Sequence, residues 1–564
     1  MGVSNHTYDV IVIGSGISGG WAAKEFCDKG LKTLVLERGR DVKHLKDYPT
    51  TNMMPWEFEH RGEIPHAIKE ANPIVSRCYA FKEDAMHFMV KDTEHPYVQE
   101  KPFDWIRGYQ VGGKSLLWAR QTQRWSEYDF EGPARDGFAV DWPIRYKDLA
   151  PWYSYVEKFA GISGNRDGLD ILPDGEFLPP WELNCVETYF KDQILKNYTD
   201  RHVIYGRCAH ISKPQQIHLD QGRAQCQGRN LCQRGCPFGG YFSSNASTIP
   251  WAERTGNMTM KTDSVVHSLI YDVMKGKATG VRVIDAKTKQ ATDYFARVIF
   301  VNAAALNTNL ILLNSTSSRF PNGLGNDNGL LGKYVAFHNY RARVSAQHEG
   351  HKEFNTDGGR PTSAYIPRFR NVKKQETDFL RGYAAGFGSG RGYQRNYDGF
   401  GEQLKENLGK KDLGPWNVGS HMMGETIPKE TNYVKLDKDR KDEWGMPLLS
   451  VSMDYDDNDE KMTKDFIEQF TEMYTKAGFV NIKSSDSKQA PGLDIHEMGG
   501  ARMGHDPRTS ILNKWNQVHS CPNVFVTDGA CMTSTSTQNP SLTYMAITAR
   551  AADYAMGQMK RGNL

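Results

Sequence analysis

The chain has 564 residues, room for roughly two to four domains around large cores. Its 70 Lys and Arg against 67 Asp and Glu leave a net charge of +3, too small a field to draw nucleic acid or an anionic membrane surface. No run of about 18 apolar residues is present, which excludes direct membrane insertion as a helix.

In chain order, the N-terminus reaches its first strand by Tyr8 with no apolar h-region before it, so the chain is expected to carry no export signal of its own. Val10 to Ile13 reads as a buried parallel strand, and Gly14, Gly16 and Gly19 make a G-x-G-x-x-G turn into a helix starting near Ile17. The first glycine permits the tight turn, the second lets the backbone approach a pyrophosphate, and the third lets helix and strand pack closely. The helix N-terminus then offers free N–H groups to phosphate. Glu37, followed by Arg38, ends a second apolar strand and can accept both hydroxyls of a ribose with a free 2′-OH. Strand, glycines, helix and acid in register predict a complete dinucleotide site at the start of the chain.

Residues 41–105 are rich in Pro, His, Met and aromatics with little periodicity and read as an irregular excursion over the cofactor. Gly112-Gly113-Lys-Ser115 supplies a second small-residue turn, suited to backbone passing close to a flat ligand. Nine cysteines suggest no disulfide framework, but Cys226, Cys232 and Cys236 cluster with C-x5-C-x3-C-P spacing in a loop. Three thiolates there suit an iron–sulfur cluster better than zinc, which usually takes a fourth ligand; small free cysteines in a long loop are the alternative. Val265 to Val301 reads as a small meander returning to the sheet, and a helix follows through Leu313. Between 336 and 490, Arg341–Ser345, Thr431–Leu436 and Leu448–Met453 look like strands of a second sheet, separated by a polar, Gly-rich segment at 385–415. Lys461–Gly478 is helical by the spacing of Met462, Phe466, Phe470 and Met473.

The C-terminal part brings Ile495-His496-Glu-Met-Gly-Gly, then Asn523-Val-Phe-Val-Thr-Asp528-Gly-Ala530, then Asn539-Pro540-Ser541-Leu-Thr, with a helix from about Ser541 to Met556. With these segments the chain resembles the glucose–methanol–choline (GMC) flavoprotein oxidoreductases over essentially its full length. The resemblance implies an α/β fold: a Rossmann-like FAD-binding domain joined to an α+β substrate-binding domain on an antiparallel sheet. The first is expected from segments 1–45, 105–125, 200–335 and 490–564, with the cysteine loop 226–236 inside it. The lid and substrate domain is expected from 46–104, 126–199 and 336–489. FAD contacts are expected at the N-terminal glycines, Glu37 and Arg38, at Gly112, Gly113 and Ser115, and at Val266 and Ala304. Further contacts are expected at Asp528, Ala530, Asn539, Pro540 and Ser541.

His496 matches the family's catalytic histidine and Asn539 the second member of its pair, in the manner of the pyranose oxidase and sugar dehydrogenase branch. Oxidising a secondary alcohol needs a base for the hydroxyl proton as hydride leaves carbon for flavin N5, and a second group to hold the oxygen. Neutral His496 suits the first task and the Asn539 amide the second. His338, His505 and His519 lack comparable context and read as structural.

Two departures from the branch matter. Leu117 stands where pyranose oxidases carry a histidine bonded to flavin, so the FAD is expected to be non-covalent. The cysteine loop resembles the large subunit of bacterial FAD-dependent glucose and fructose dehydrogenases, which implies a [3Fe-4S] cluster at Cys226, Cys232 and Cys236. It also implies a small subunit and a haem c or quinone acceptor. The expected activity is oxidation of a pyranose or glycoside hydroxyl, favouring C3 of a glucoside because Tyr393, Tyr397 and Phe400 in the 385–415 insert can shape a site for a substituted sugar. A C1 glucose dehydrogenase, an oxygen-reducing 3-oxidase and a non-catalytic relay subunit are the alternatives. Location is expected to be periplasmic, by co-export with a small subunit, or cytoplasmic.

Overall fold

The computed structural model describes residues 6–355, 359–410 and 412–564. Residues 1–5, on which the reading about an export signal partly turns, lie outside the described residues.

The strand Thr7–Ile13, all apolar from Val10 onward, sits at the middle of an eight-stranded sheet. On one side it pairs in parallel with Thr33–Leu36, which pairs in parallel with Met258–Lys261. On the other side it pairs in parallel with Ala291–Val301, and that strand with Cys521–Val526. The register places Ile13 beside Leu36 and Val301, and Val301 beside Val526, so four strands end on one edge. Parallel partners thus lie on both sides of Thr7–Ile13, and the crevice at such a switch in strand order is where α/β sheets bind ligands. The expected meander is formed by Ser264–Asp272 and Lys277–Asp285, antiparallel to each other, the latter also antiparallel to Ala291–Val301. Helices Ile17–Asp28 and Ser541–Lys560 pack together, burying Ala22, Phe26, Ala551 and Ala555 over the sheet.

A second, seven-stranded antiparallel sheet carries Ala342–His348, Trp416–Glu425 and Tyr383–Gly390 at its centre, with His338–Asn339 beside Trp416–Glu425. Helix Asp457–Lys476 lies on it, with Met462, Phe466, Phe470 and Met473 all buried as the spacing predicts. Tyr433–Lys441 and Pro447–Ser452 do not join this sheet but form a separate five-stranded one with Met498–Gly500, Lys333–Ala336 and Val98–Gln99. The 385–415 segment is not wholly an insert, because strand Tyr383–Gly390 runs into it. Among the described residues no helix is long and apolar enough to cross a membrane.

Candidate active site

The aligned strand ends open one cavity, with Gly14, Ser15, Gly16, Glu37, Asn302 and Asp528 on its wall. Gly14 has φ 92, and a Cβ there would lie 2.3 Å from the Asn302 carbonyl oxygen, so the turn admits only glycine. A Cβ on Gly16 would meet nothing within 4 Å, the open approach a pyrophosphate needs. Glu37 is buried and its pKa is raised by that burial, against hydrogen bonds from the Ser15 hydroxyl (2.5 Å) and the Ser15 and Gly39 N–H groups. Arg38 lies between Tyr109 and Trp444, 4.7 Å from each ring centre.

Of the other expected cofactor residues, Gly113, Ser115, Val266 and Ala304 line the cavity, as do Asn539, Pro540 and Ser541. Gly19, Gly112 and Ala530 do not, and their parts are indirect. A Cβ on Gly19 would lie 1.9 Å from the Gly14 carbonyl, so it packs the helix on the turn. Gly112 donates its N–H to Ser15 Oγ at 3.0 Å, and Ala530 donates to Asp528 Oδ1 at 2.9 Å. Asp528 also accepts from Thr308 Oγ1 at 2.6 Å, while burial lifts its pKa to about 6. Leu117 is on the wall and offers no atom for a covalent flavin bond. Unpartnered buried polar atoms also belong to wall residues: Arg107 Nε and Nη2, Asn302 Nδ2 and Glu497 Oε1. Donors and acceptors of this kind fit FAD, whose ribose Glu37 would meet and whose pyrophosphate the Gly16 turn would meet.

At the other part of the cavity His496 Nε2 faces Asn539 Nδ2 at 3.3 Å. The two come from distant segments, His496 from the turn before strand Met498–Gly500 and Asn539 from the entry to helix Ser541–Lys560. Ile495, just before His496, is held at φ 62, a strained conformation for a β-branched residue of the kind that concentrates at functional sites. Burial, the neighbouring His338 and Lys114 hold His496 well below the ordinary histidine pKa, so its imidazole is neutral.

Sequence reasoning missed part of this site. His338, read there as structural, places its Nδ1 2.9 Å from His496 Nδ1. Tyr340, His421 and Met423, on or beside the second sheet, and Asp494 complete the wall; no local motif marks any of them. Tyr393, Tyr397 and Phe400 do not line it and are exposed, Phe400 at 93%, which removes the observation that favoured C3. His505 and His519 are also off the wall.

Cys226, Cys232 and Cys236 line a second cavity with His210, whose Nε2 is 3.6 Å from Cys232 Sγ. They do not form the tight set a single ion needs; among the described residues that set is His338, Asp494 and His496. Tyr79, Ala119 and Arg120 face both cavities.

A dinucleotide crevice that holds a close histidine–asparagine pair on the same wall fits an oxidoreductase acting on CH–OH groups. N- and C-terminal family models, both described as GMC oxidoreductase, match residues 85–338 and 428–548. The chain belongs to the GMC oxidoreductase family, whose members bind FAD. It is 28% identical to a 2-methyl-1,2-propanediol dehydrogenase from Mycolicibacterium austroafricanum, over 97% of this chain and 94% of that protein. It is 26% identical to a fructose dehydrogenase large subunit from Gluconobacter japonicus, over 99% of this chain and 100% of that one. A formate oxidase structure from Aspergillus oryzae RIB40 shares the fold with TM-score 0.62 at 13% identity, over 99% of this chain and 100% of that one.

Proposed function

We propose that this flavoprotein is a sugar dehydrogenase that oxidises a secondary ring hydroxyl of a pyranose or glycoside. The observation that carries the reading is the His496–Asn539 pair, 3.3 Å apart on a cavity wall shared with the dinucleotide turn. Bound there without a covalent link, FAD supplies the two-electron oxidant for a CH–OH group. The chain's own residues supply the proton chemistry. His496 Nε2 takes the hydroxyl proton, and the Asn539 amide donates a hydrogen bond to the oxygen that is left. Tyr340 and His421 add to the wall polar groups suited to a polyhydroxylated ring.

A [3Fe-4S] cluster held by Cys226, Cys232 and Cys236 would carry electrons from the flavin toward a haem c or quinone acceptor on a partner subunit. Three observations support this. The thiols share one cavity of about 230 Å³, and that cavity shares Tyr79, Ala119 and Arg120 with the first. A relative over the whole chain is named as a large subunit.

Anaerobic flavin bleaching with methyl glucosides, whose C1 is blocked, tests the substrate class, with NMR of the product giving the carbon oxidised. A keto sugar at C2, C3 or C4 is expected. Bleaching by free sugars alone with a lactone product, or by no sugar, contradicts the reading.

A further inference from the structure

His338 is fully buried behind His496 and off the cavity wall, and the proton chemistry just described does not use it. Its Nε2 lies 3.0 Å from the carbonyl oxygen of Ser536 and 3.2 Å from that of Thr535. Carbonyl oxygens only accept, so this nitrogen carries a hydrogen. Burial lowers the His338 pKa to about 4, and a neutral imidazole has only one N–H. The Nδ1 of His338 is therefore a bare acceptor.

That acceptor faces His496 Nδ1 at 2.9 Å, with the two rings nearly perpendicular at 87°. Two lone pairs do not meet at hydrogen-bond distance, so His496 must donate from Nδ1. His496 is neutral as well, which leaves its Nε2 without a hydrogen. Asn539 Nδ2, a donor only, lies against that nitrogen at 3.3 Å, as the assignment requires. Donation thus runs in one direction, from Asn539 to His496 to His338 to the backbone of 535–536. The backbone N–H of His338 donates to Asp494 Oδ2 at 2.8 Å, fixing the main chain from which the ring projects.

We propose that His338 is a positioning residue that locks His496 in its Nδ1–H tautomer, so that the lone pair needed to take a substrate proton is always at Nε2. A free imidazole populates both tautomers, and the one with hydrogen on Nε2 cannot act as base there. The proposal rests on His496 being the base, but the tautomer itself can be read without any substrate.

Neutron diffraction from a hydrogen–deuterium-exchanged crystal of the FAD-loaded protein is the primary test. Deuterium on His496 Nδ1 and His338 Nε2, with His496 Nε2 bare, is expected. Deuterium on His496 Nε2, or an ion between the two rings, overturns the proposal. In anaerobic stopped-flow, His338→Leu in FAD-loaded protein is expected to slow flavin reduction by about 10- to 10³-fold, within the roughly 10⁴-fold that a wrong catalytic tautomer can cost. His338→Gln, whose side-chain carbonyl can accept from His496, is expected to recover most of the rate. Wild-type rates in His338→Leu, or equal losses in both variants, also overturn it. Should His338→Leu fail to bind FAD, the Gln variant and the diffraction result decide. A failed sugar panel leaves the tautomer result standing, so the two readings fail separately.

Discussion

Lys114 Nζ lies 3.0 Å from Glu497 Oε2, an ion pair that ties the glycine turn at 112–115 to the residue following His496. Through it one cation stands close to the proposed base, and Lys114 is among the groups that lower the His496 pKa, after burial and His338.

Lys114→Met should raise that pKa. The cation disfavours imidazolium, so its loss favours protonation, and the Glu497 carboxylate left behind acts in the same sense. The neutral, active form then predominates only at higher pH. The acidic limb of the kcat/KM profile for sugar should therefore move up by about one pH unit. A limb that stays in place or moves down contradicts the assignment of His496 as the titrating base.

Glu37 carries the proposed ribose contact from a buried carboxylate. Glu37→Arg replaces two acceptors with a cation inside that wall and should leave most of the purified protein without FAD, read from the flavin absorbance per chain. With Leu117 on the wall, acid precipitation of wild type should release the yellow colour into the supernatant. Flavin retained on the pellet contradicts the non-covalent assignment.

The cysteine cavity should hold iron and acid-labile sulfide in anaerobically purified protein, with a paramagnetic signal in the oxidised state. Cys232→Ser should impair transfer to the natural acceptor far more than flavin reduction by substrate. Iron-free protein that is fully active with its acceptor contradicts the cluster.

The dinucleotide half was legible because its determinants are contiguous: Gly14, Gly16 and Gly19 act within one turn, and Glu37 ends the neighbouring strand. The second half of the site was not, because it is assembled across long separations. His338 is 158 residues from His496 and reaches it only because His338–Asn339 pairs with Gly424–Glu425. Alternation identified Thr431–Leu436 and Leu448–Met453 as strands but says nothing of partners, and theirs proved to be a third sheet. Tyr383–Gly390 was hidden by its glycines, poor strand formers. Gly386 is opposite His421 in the register, and a Cβ there would lie 2.6 Å from the His421 ring. The residue that obscured the strand is thus the one that makes room for a histidine of the cavity wall.

The central claim is that His496 and Asn539 carry the chemical step with unequal roles, and anaerobic stopped-flow flavin reduction isolates that step from electron exit. His496→Ala should slow reduction by about 10²- to 10⁴-fold, the usual contribution of a positioned acid–base group, with substrate affinity changed much less. Asn539→Ala, which removes a neutral donor to the developing oxyanion, should cost about 10²- to 10³-fold. Wild-type reduction rates in folded, FAD-loaded His496→Ala protein would contradict the account.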